Sequence, residues 1–290
     1  MPASIAKLTR LIDNEVIRAV GVPADSWLAD RLHALLRRAT SHFSELFAEV
    51  DHIIEEQGLP AGALWLLRQL ASDCEARGVE NIPLDGPLII ASNHPGAVDS
   101  LALSASAGRN DLKIIASAVP FLQNLPHVSE HLIFTPRLNI QQRMISVRES
   151  IRHLRAGGAL LLFAHGTIDP DPAFMPSAAQ ELQGWSRSLE IFVRAVPEAG
   201  VLVSIVSGVV DPGCMHNPIT WLRRERPDRQ RIAMMLQIIE QMLGRHIDIT
   251  PRISFGRLLD KPQSLTTEQT LDVVTDYARQ LMRSHIAWQA

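Results

Sequence analysis

A histidine and an aspartate, His94 and Asp99, stand five positions apart at the point where an apolar run of the sequence stops. The stretch from Ile89 to Leu103 reads IIASNHPGAVDSLAL. A carboxylate at this spacing can reach one nitrogen of the imidazole, fix its tautomer and stabilise the imidazolium that forms when the ring takes a proton. The other nitrogen is then available as a general base toward an alcohol or a similar nucleophile. The alternative is that Asp99 only caps a helix and that His94 is an ordinary loop residue.

The elements around this pair determine whether it faces a ligand. PLIIAS, before His94, has the length and composition of a buried strand, and DSLALSASAG, which begins at Asp99, is typical of a helix. Similar apolar runs alternate with helical segments further on: DLKIIASA, LIFTPR, ALLLFAHGT, VLVSIVSGVV and ISFGRLL. This alternation predicts an α/β fold with a mixed, largely parallel sheet that is flanked by helices on both faces. Because ligands of such sheets bind beyond the carboxyl ends of the strands, we expect His94 at the edge of a cleft.

Residues 1–78 differ from the rest of the chain because their apolar residues recur at helical spacing and no strand-like run interrupts them. WLADRLHALLRRATSHFSELFAEVDHIIEE predicts one long helix, and AGALWLLRQLASDCEARG predicts a second helix that ends at Gly78. We therefore expect a helical N-terminal subdomain over residues 1–78, with a packing role, and an α/β domain over residues 79–290.

Composition limits the classes of function. The 290 residues are 46% hydrophobic and carry a formal net charge of −3, which indicates a globular protein without bulk attraction to nucleic acid. The two cysteines, Cys74 and Cys214, match no metal or redox spacing, so we expect reduced thiols in a cytoplasmic protein. The first residues lack the apolar segment of a signal peptide, and no apolar run is long enough to span a bilayer. Membrane contact is therefore expected only as peripheral contact, at the inner membrane face.

NHPGAVD resembles the H-x4-D box of the glycerolipid acyltransferases, the family of the glycerol-3-phosphate and lysophosphatidate acyltransferases. FTPR, at residues 134–137, is similar to a second box of that family, F-I-x-R, whose arginine binds the phosphate of the acceptor. Arg137 is the residue to which this role carries over. A guanidinium suits the role because its planar fork forms paired hydrogen bonds with a phosphate.

A third box usually reads FPEGTR and is FAHGTI here, at residues 163–168. Gly166 and Thr167 are kept, whereas His165 replaces a glutamate that contacts the acceptor in the family, and Ile168 replaces the arginine. The identity of the acceptor is therefore open. A fourth box is matched only loosely by VLVSIVSG, with Ser204 near the expected proline.

The resemblance, over about residues 79–260, implies an O-acyltransferase of phospholipid biosynthesis. It moves a fatty acyl group from a thioester, acyl-CoA or acyl-carrier protein, to a hydroxyl of glycerol-3-phosphate, lysophosphatidate or a related, phosphorylated acceptor. The implied catalytic residues are His94 and Asp99. Backbone N–H groups near Gly96 or Gly166 are expected to stabilise the oxyanion. No metal, no cofactor beyond the thioester co-substrate and no nucleic acid is expected, and the implied substrate-binding residues are Asn93, Gly96, Arg137, His165, Gly166 and Thr167.

Two other functions remain open from the sequence. A metal-dependent hydrolase is one, because several residues have the side chains that bind metals. The residues in question are His94, Asp99, His165, Asp169 and Asp171. A non-catalytic lipid-binding homologue is the other, because the third box is altered.

An arginine cluster follows Trp221 in the stretch WLRRERPDRQR. Its side chains either belong to the solvated start of a helix or meet anionic lipid head groups, CoA phosphates or an acidic carrier protein. The tryptophan beside them suits a membrane interface. The arginines are Arg223, Arg224, Arg226, Arg229 and Arg231.

Overall fold

The structure is a computed structural model that describes residues 4–20, 23, 25–135, 140–175, 178–185, 188–259 and 267–289. Its strands are β1 Glu75–Arg77, β2 Leu88–Ser92, β3 Lys113–Ser117, β4 Leu132–Thr135, β5 Ala159–Phe163, β6 Gly200–Ser207 and β7 Arg252–Leu259. Its helices are α1 Ile5–Val20, α2 Trp27–Gln57, α3 Leu59–Leu70, α4 Asp99–Ala107, α5 Pro126–Glu130, α6 Ile140–Arg155, α7 Ala178–Glu181, α8 Ser188–Ala195, α9 Pro212–Met215, α10 Arg226–Met242 and α11 Thr267–Gln289.

The described strands form one sheet in the order β1-β7-β6-β2-β5-β3-β4. Strand β2 pairs in parallel with β5 and β6, and β3 pairs in parallel with β4 and β5. Strand β7 is antiparallel to β6, and β1 is parallel to β7. The predicted α/β class with a mixed, largely parallel sheet is therefore confirmed.

Side chains of the central strands alternate between two apolar cores, one on each face of the sheet. In β2, Leu88 and Ile90 enter the core that contains residues of α2, α3, α4 and α10. Ile89 and Ala91 enter the opposite core, which contains residues of α8 and α11. Burial on both faces explains why these strands are continuous apolar runs in the sequence, and it confirms the predicted helical layers.

The N-terminal region contains a strand that the sequence pattern did not predict. The second predicted helix ends at Leu70 instead of Gly78, and β1 follows it. This strand is only three residues long, EAR, and two of its side chains are charged, so it carries no strand signal. Glu75 pairs with Arg252, 177 residues away, and such a long-range contact leaves no local pattern. The division of the chain at residue 78 stays a prediction.

Two further expectations concern the cellular environment. Both cysteines are free thiols. Burial raises the pKa of Cys74 to about 11 and that of Cys214 to about 12, so neither is a reactive thiolate near neutral pH. In the described ranges, no helix combines the length and hydropathy that crossing a membrane requires.

Candidate active site

His94 and Asp99 lie together at the carboxyl end of β2. His94 is in the loop after the strand, and Asp99 is the first residue of α4. His94 Nδ1 is 2.7 Å from Asp99 Oδ2, and 27% of the histidine side chain is exposed against 0% of the aspartate. The N-cap of α4 is Val98, without a side-chain capping bond, so Asp99 binds the imidazole instead of capping the helix. A carboxylate in this position holds the proton on Nδ1 and leaves the lone pair on Nε2.

Gly96 shapes the loop between the two residues. Its N–H donates to Asp99 Oδ2 over 3.0 Å, on the same oxygen that binds the imidazole. A Cβ at this position would lie 2.6 Å from Val209 Cγ2, so close packing is what requires a glycine here. The N–H of Gly96 itself is bound to Asp99, and the role of Gly96 and of neighbouring N–H groups toward substrate or an oxyanion stays a prediction.

The ring of His94 stacks on Phe163, with ring centroids 4.1 Å apart and an interplanar angle of 24°. Phe163 ends β5 and lies in register with Ser92 on β2, which brings the two loops side by side. Burial lowers the pKa of His94, but the charge and hydrogen bond of Asp99 and the charge of Asp169 together raise it above its ordinary value. The site therefore favours the imidazolium. A general base requires this, because it must hold a proton during the reaction.

A second histidine–carboxylate pair follows β5. His165 Nδ1 lies 2.5 Å from Asp169 Oδ1, with 24% of the histidine side chain and 5% of the aspartate side chain exposed. The N–H of His94 donates to Asp169 Oδ2 over 2.8 Å, and the N–H of Asp169 donates to the His94 carbonyl over 2.8 Å. Asp169 thus holds the ring of one histidine and the backbone of the other. Burial raises the pKa of Asp169, and its bonds to the His94 N–H and to His165 counteract part of the rise.

The third box forms a tight turn at the end of β5. Gly166 has a φ of 75°, a conformation that favours glycine, and its N–H donates to the Phe163 carbonyl over 3.0 Å. This N–H closes the turn, and stabilisation of an oxyanion by backbone N–H groups near Gly166 stays a prediction. Thr167 is exposed beside it, and His165 precedes it in the same turn. Direct contacts of His165, Gly166 and Thr167 with substrate stay predictions.

Two buried side chains, Gln230 and Asp171, hold the loops of the site together. Gln230 carried no signal in the sequence, and Asp171 was considered there only as a metal ligand. Gln230 of α10 is 1% exposed and donates to the carbonyls of Pro95, over 2.7 Å, and Asp169, over 2.9 Å. Its Oε1 accepts the N–H of Asp171 over 3.0 Å. The Asp171 carboxylate, which is fully buried, accepts the N–H groups of residues 208–210 after β6. These bonds join the carboxyl ends of β2, β5 and β6 to α10.

Two further residues were predicted to bind substrate, Asn93 and Arg137. Asn93 is 1% exposed, and its amide donates to the Val206 carbonyl and accepts the Val206 N–H, each over 2.8 Å. It therefore continues the pairing of β2 with β6, and its contact with substrate stays a prediction. Arg137 lies outside the described residues, so its role as the phosphate-binding residue stays a prediction.

The side chains of the metal hypothesis are bound to separate partners. Asp99 binds His94, Asp169 binds His165, and Asp171 binds backbone N–H groups. In the part of the chain that the structure describes, no three His, Cys, Asp or Glu side chains converge as a metal-binding group. The geometry is that of two hydrogen-bonded histidine–carboxylate pairs.

Comparison with known families decides the class to which this site belongs. Residues 73–192 match the family model described as Acyltransferase. These residues, less than half of the chain, are thus similar to an acyltransferase domain. The matched segment includes both histidine–carboxylate pairs, and the acyltransferase relationship expected from the sequence is confirmed.

Comparisons of the whole chain with known proteins give less than the family match. No curated protein matches the chain. Among solved structures, the 1-acyl-sn-glycerophosphate (LPA) acyltransferase PlsC from Thermotoga maritima is similar, with a TM-score of 0.49 and 16% sequence identity over 96% of this chain and 95% of that chain.

Proposed function

We propose that the protein transfers a fatty acyl group from a thioester to a hydroxyl of a glycerophosphate-type acceptor, such as glycerol-3-phosphate or lysophosphatidate. One observation carries the proposal: a fully buried Asp99 binds Nδ1 of a partly exposed His94 at the end of a parallel strand. The family match over residues 73–192 supports the same class of reaction. Acyl-CoA or acyl-carrier protein as donor, a role in phospholipid biosynthesis and peripheral association with a membrane are parts of this proposal that rest on the resemblance.

In the proposed reaction, Nε2 of His94 takes the proton of the acceptor hydroxyl while the hydroxyl oxygen attacks the thioester carbonyl carbon. The carbon–oxygen bond forms, and the tetrahedral intermediate collapses by breaking the carbon–sulfur bond. The imidazolium returns its proton to the departing thiolate sulfur, so the histidine ends the cycle neutral. Asp99 stabilises the imidazolium through Nδ1, and no covalent intermediate with the protein is required.

A cavity next to the pair offers room for the acyl chain. It has a volume of about 300 Å³, and most of its lining is apolar. Helices α2 and α3 line one side, with Phe47 and Leu66 among their contributions, and the start of α4 lines another. Val98 and Ser100, which flank Asp99 in the chain, belong to this lining. We place the acyl chain here, since burying its methylene groups is favourable and the thioester carbonyl then lies near His94.

The acceptor side of the proposed site is formed by the third box. His165 occupies the position of the family glutamate, and its Nδ1 is bound to Asp169, which leaves Nε2 for an acceptor hydroxyl. A Cβ on Gly184 would lie 3.0 Å from this Nε2, so the glycine leaves space beside the ring. We assign His165 to the acceptor hydroxyls and Arg137 to the acceptor phosphate.

The proposal is tested by a thiol-release assay with acyl-CoA and acyl-carrier protein donors. The acceptors are glycerol-3-phosphate, lysophosphatidate and a matched alcohol without phosphate. We expect thiol release that depends on a phosphorylated acceptor, together with an ester product. Metal chelation serves as a control, because loss of activity that a stoichiometric metal restores would favour the hydrolase alternative. A protein that releases no thiol with any acceptor but retains fatty acid would be the lipid-binding alternative.

A further inference from the structure

A solvent-exposed turn before α10 carries large apolar side chains next to arginines. Ile219, Trp221 and Leu222 are 49%, 64% and 80% exposed. Arg223 and Arg224 follow directly and are exposed as well. We call these five residues the Trp221 surface. Several large apolar side chains grouped in solvent mark a place where a protein binds something.

The turn that presents this surface is anchored to the body of the protein. Thr220 is fully buried between its exposed neighbours, and its hydroxyl donates to the Asn217 carbonyl over 2.7 Å. Asn217 Oδ1 accepts the N–H of Ile219 over 3.0 Å. Arg229 Nε donates to the Arg223 carbonyl over 2.9 Å. The apolar side chains are therefore held outward by an ordered backbone, which lowers the entropic cost of docking.

We infer that the Trp221 surface docks onto an anionic lipid bilayer. A bilayer offers hydrocarbon and negative charge together, which complements three apolar side chains followed by arginines. Residues 221–227 hold three arginines and one acid, Glu225. The whole chain is net negative, at −3, so attraction to an anionic surface must come from such a local patch and orients the protein.

The Trp221 surface is connected to the active site through α10. This helix begins at Arg226, directly after the surface, and Gln230 in its first turns donates to the carbonyls of Pro95 and Asp169. Docking brings these loops close to the bilayer, where lysophosphatidate and the acylated product reside. The inference deepens the proposed function and rests on it for the lipid nature of the substrates, whereas vesicle binding itself requires no turnover.

The test is co-sedimentation of the full chain with phosphatidylcholine vesicles, with and without phosphatidylglycerol. We expect binding to the anionic vesicles that weakens as salt is raised. A Trp221→Ser, Leu222→Ser double variant should bind about tenfold or more weakly. An Arg223→Gln, Arg224→Gln double variant should lose about tenfold in affinity and most of the salt dependence. Far-UV circular dichroism checks that each variant is folded.

The matched control is Trp27→Ser, because Trp27, at the start of α2, is 75% exposed and lies outside the Trp221 surface. This variant should bind like the wild type. The inference is overturned if the wild type does not bind anionic vesicles, if Trp27→Ser alone abolishes binding, or if the Trp221 and Leu222 double variant binds normally.

A second readout separates this inference from the proposed function. With a short-chain acyl thioester and glycerol-3-phosphate, and without vesicles, the Trp221 and Leu222 double variant should keep wild-type turnover. A wild type that binds vesicles through this surface but releases no thiol would remove the proposed function and keep the docking surface. A variant that loses turnover without vesicles would show that these side chains support the active site, and would overturn the assignment to docking.

Discussion

The two histidine–carboxylate pairs use the same bond for different purposes. Both follow neighbouring parallel strands, and both bind Nδ1 to an aspartate while about a quarter of the histidine side chain is exposed. Asp99 directs one oxygen to the ring of His94 and to the nearby Gly96 N–H. Asp169 divides its oxygens between the ring of His165 and the backbone of His94.

This difference favours His94 over His165 as the base in the proposed reaction. Within the described residues, the second oxygen of Asp99 has no hydrogen-bond partner, so its charge is directed mainly at His94. Asp169 instead connects the two loops and sets the distance between the two histidines. Asp99 is the main influence that raises the pKa of His94, and Asp169 adds to the rise while it also holds the two loops together.

The largest expected effect comes from the base itself. His94→Gln should lower the turnover number about 100- to 10,000-fold, because Nε2 no longer takes the hydroxyl proton. His165→Gln is the matched control at the other pair and should change turnover far less. Thiol release under saturating donor and acceptor measures both variants. Equal losses in the two variants would remove the distinction between the pairs.

A smaller effect is expected from the shared carboxylate. In Asp169→Asn, the amide NH2 must face either the His94 N–H, which then loses its acceptor, or His165 Nδ1, which must then accept instead of donate. Either arrangement loses a hydrogen bond to a carboxylate. We expect a loss of about 1–3 kcal/mol in the free energy of unfolding, measured by denaturant titration. The exposed pair of Asp276 and Arg279 provides the control, since Asp276→Asn should change stability by less than about 1 kcal/mol. An unchanged stability of Asp169→Asn would mean that these bonds do not hold the loops.

The smallest effect on rate, and the sharpest on selectivity, is expected at His165. His165→Glu restores the residue that is usual in the family. We expect the ratio of the kcat/KM values for two acceptors to change. The rate with the best acceptor should change by about tenfold or less. Competition between glycerol-3-phosphate and lysophosphatidate measures that ratio. An identical acceptor profile would place His165 outside the acceptor site.

The parts of this molecule that the sequence predicts are those with local causes. The strand before His94 and the helix from Asp99 onward follow from the local apolar pattern. The five-residue spacing allowed the pair but left a helix cap open, and the resemblance to the family boxes favoured the pair. The resemblance to the third family box predicted that His165 and Gly166 belong to the site. The α/β class followed from the alternation of buried strands with helices.

The parts that the sequence did not predict depend on distant partners. Gln230 reaches Pro95 across 135 residues, and no spacing rule connects the two. The amide of Asn93 and the N–H of Gly96 are the kinds of groups that bind substrates, but tertiary contacts with Val206 and Asp99 occupy them. Strand β1 forms because β7 lies beside it, and its own residues carry no strand preference.

The most direct test of the central claim is the pH dependence of kcat/KM in the wild type and in Asp99→Asn. The base must be unprotonated to act, and the pKa of His94 is raised, so kcat/KM should fall as pH decreases through a value above the ordinary 6.5. Removing the charge of Asp99 leaves burial as the main influence and lowers that pKa, so the acidic limb should move to lower pH in the variant. The account would be contradicted if the acidic limb of the wild type had an apparent pKa at or below 6.5. It would also be contradicted if Asp99→Asn left that apparent pKa unchanged.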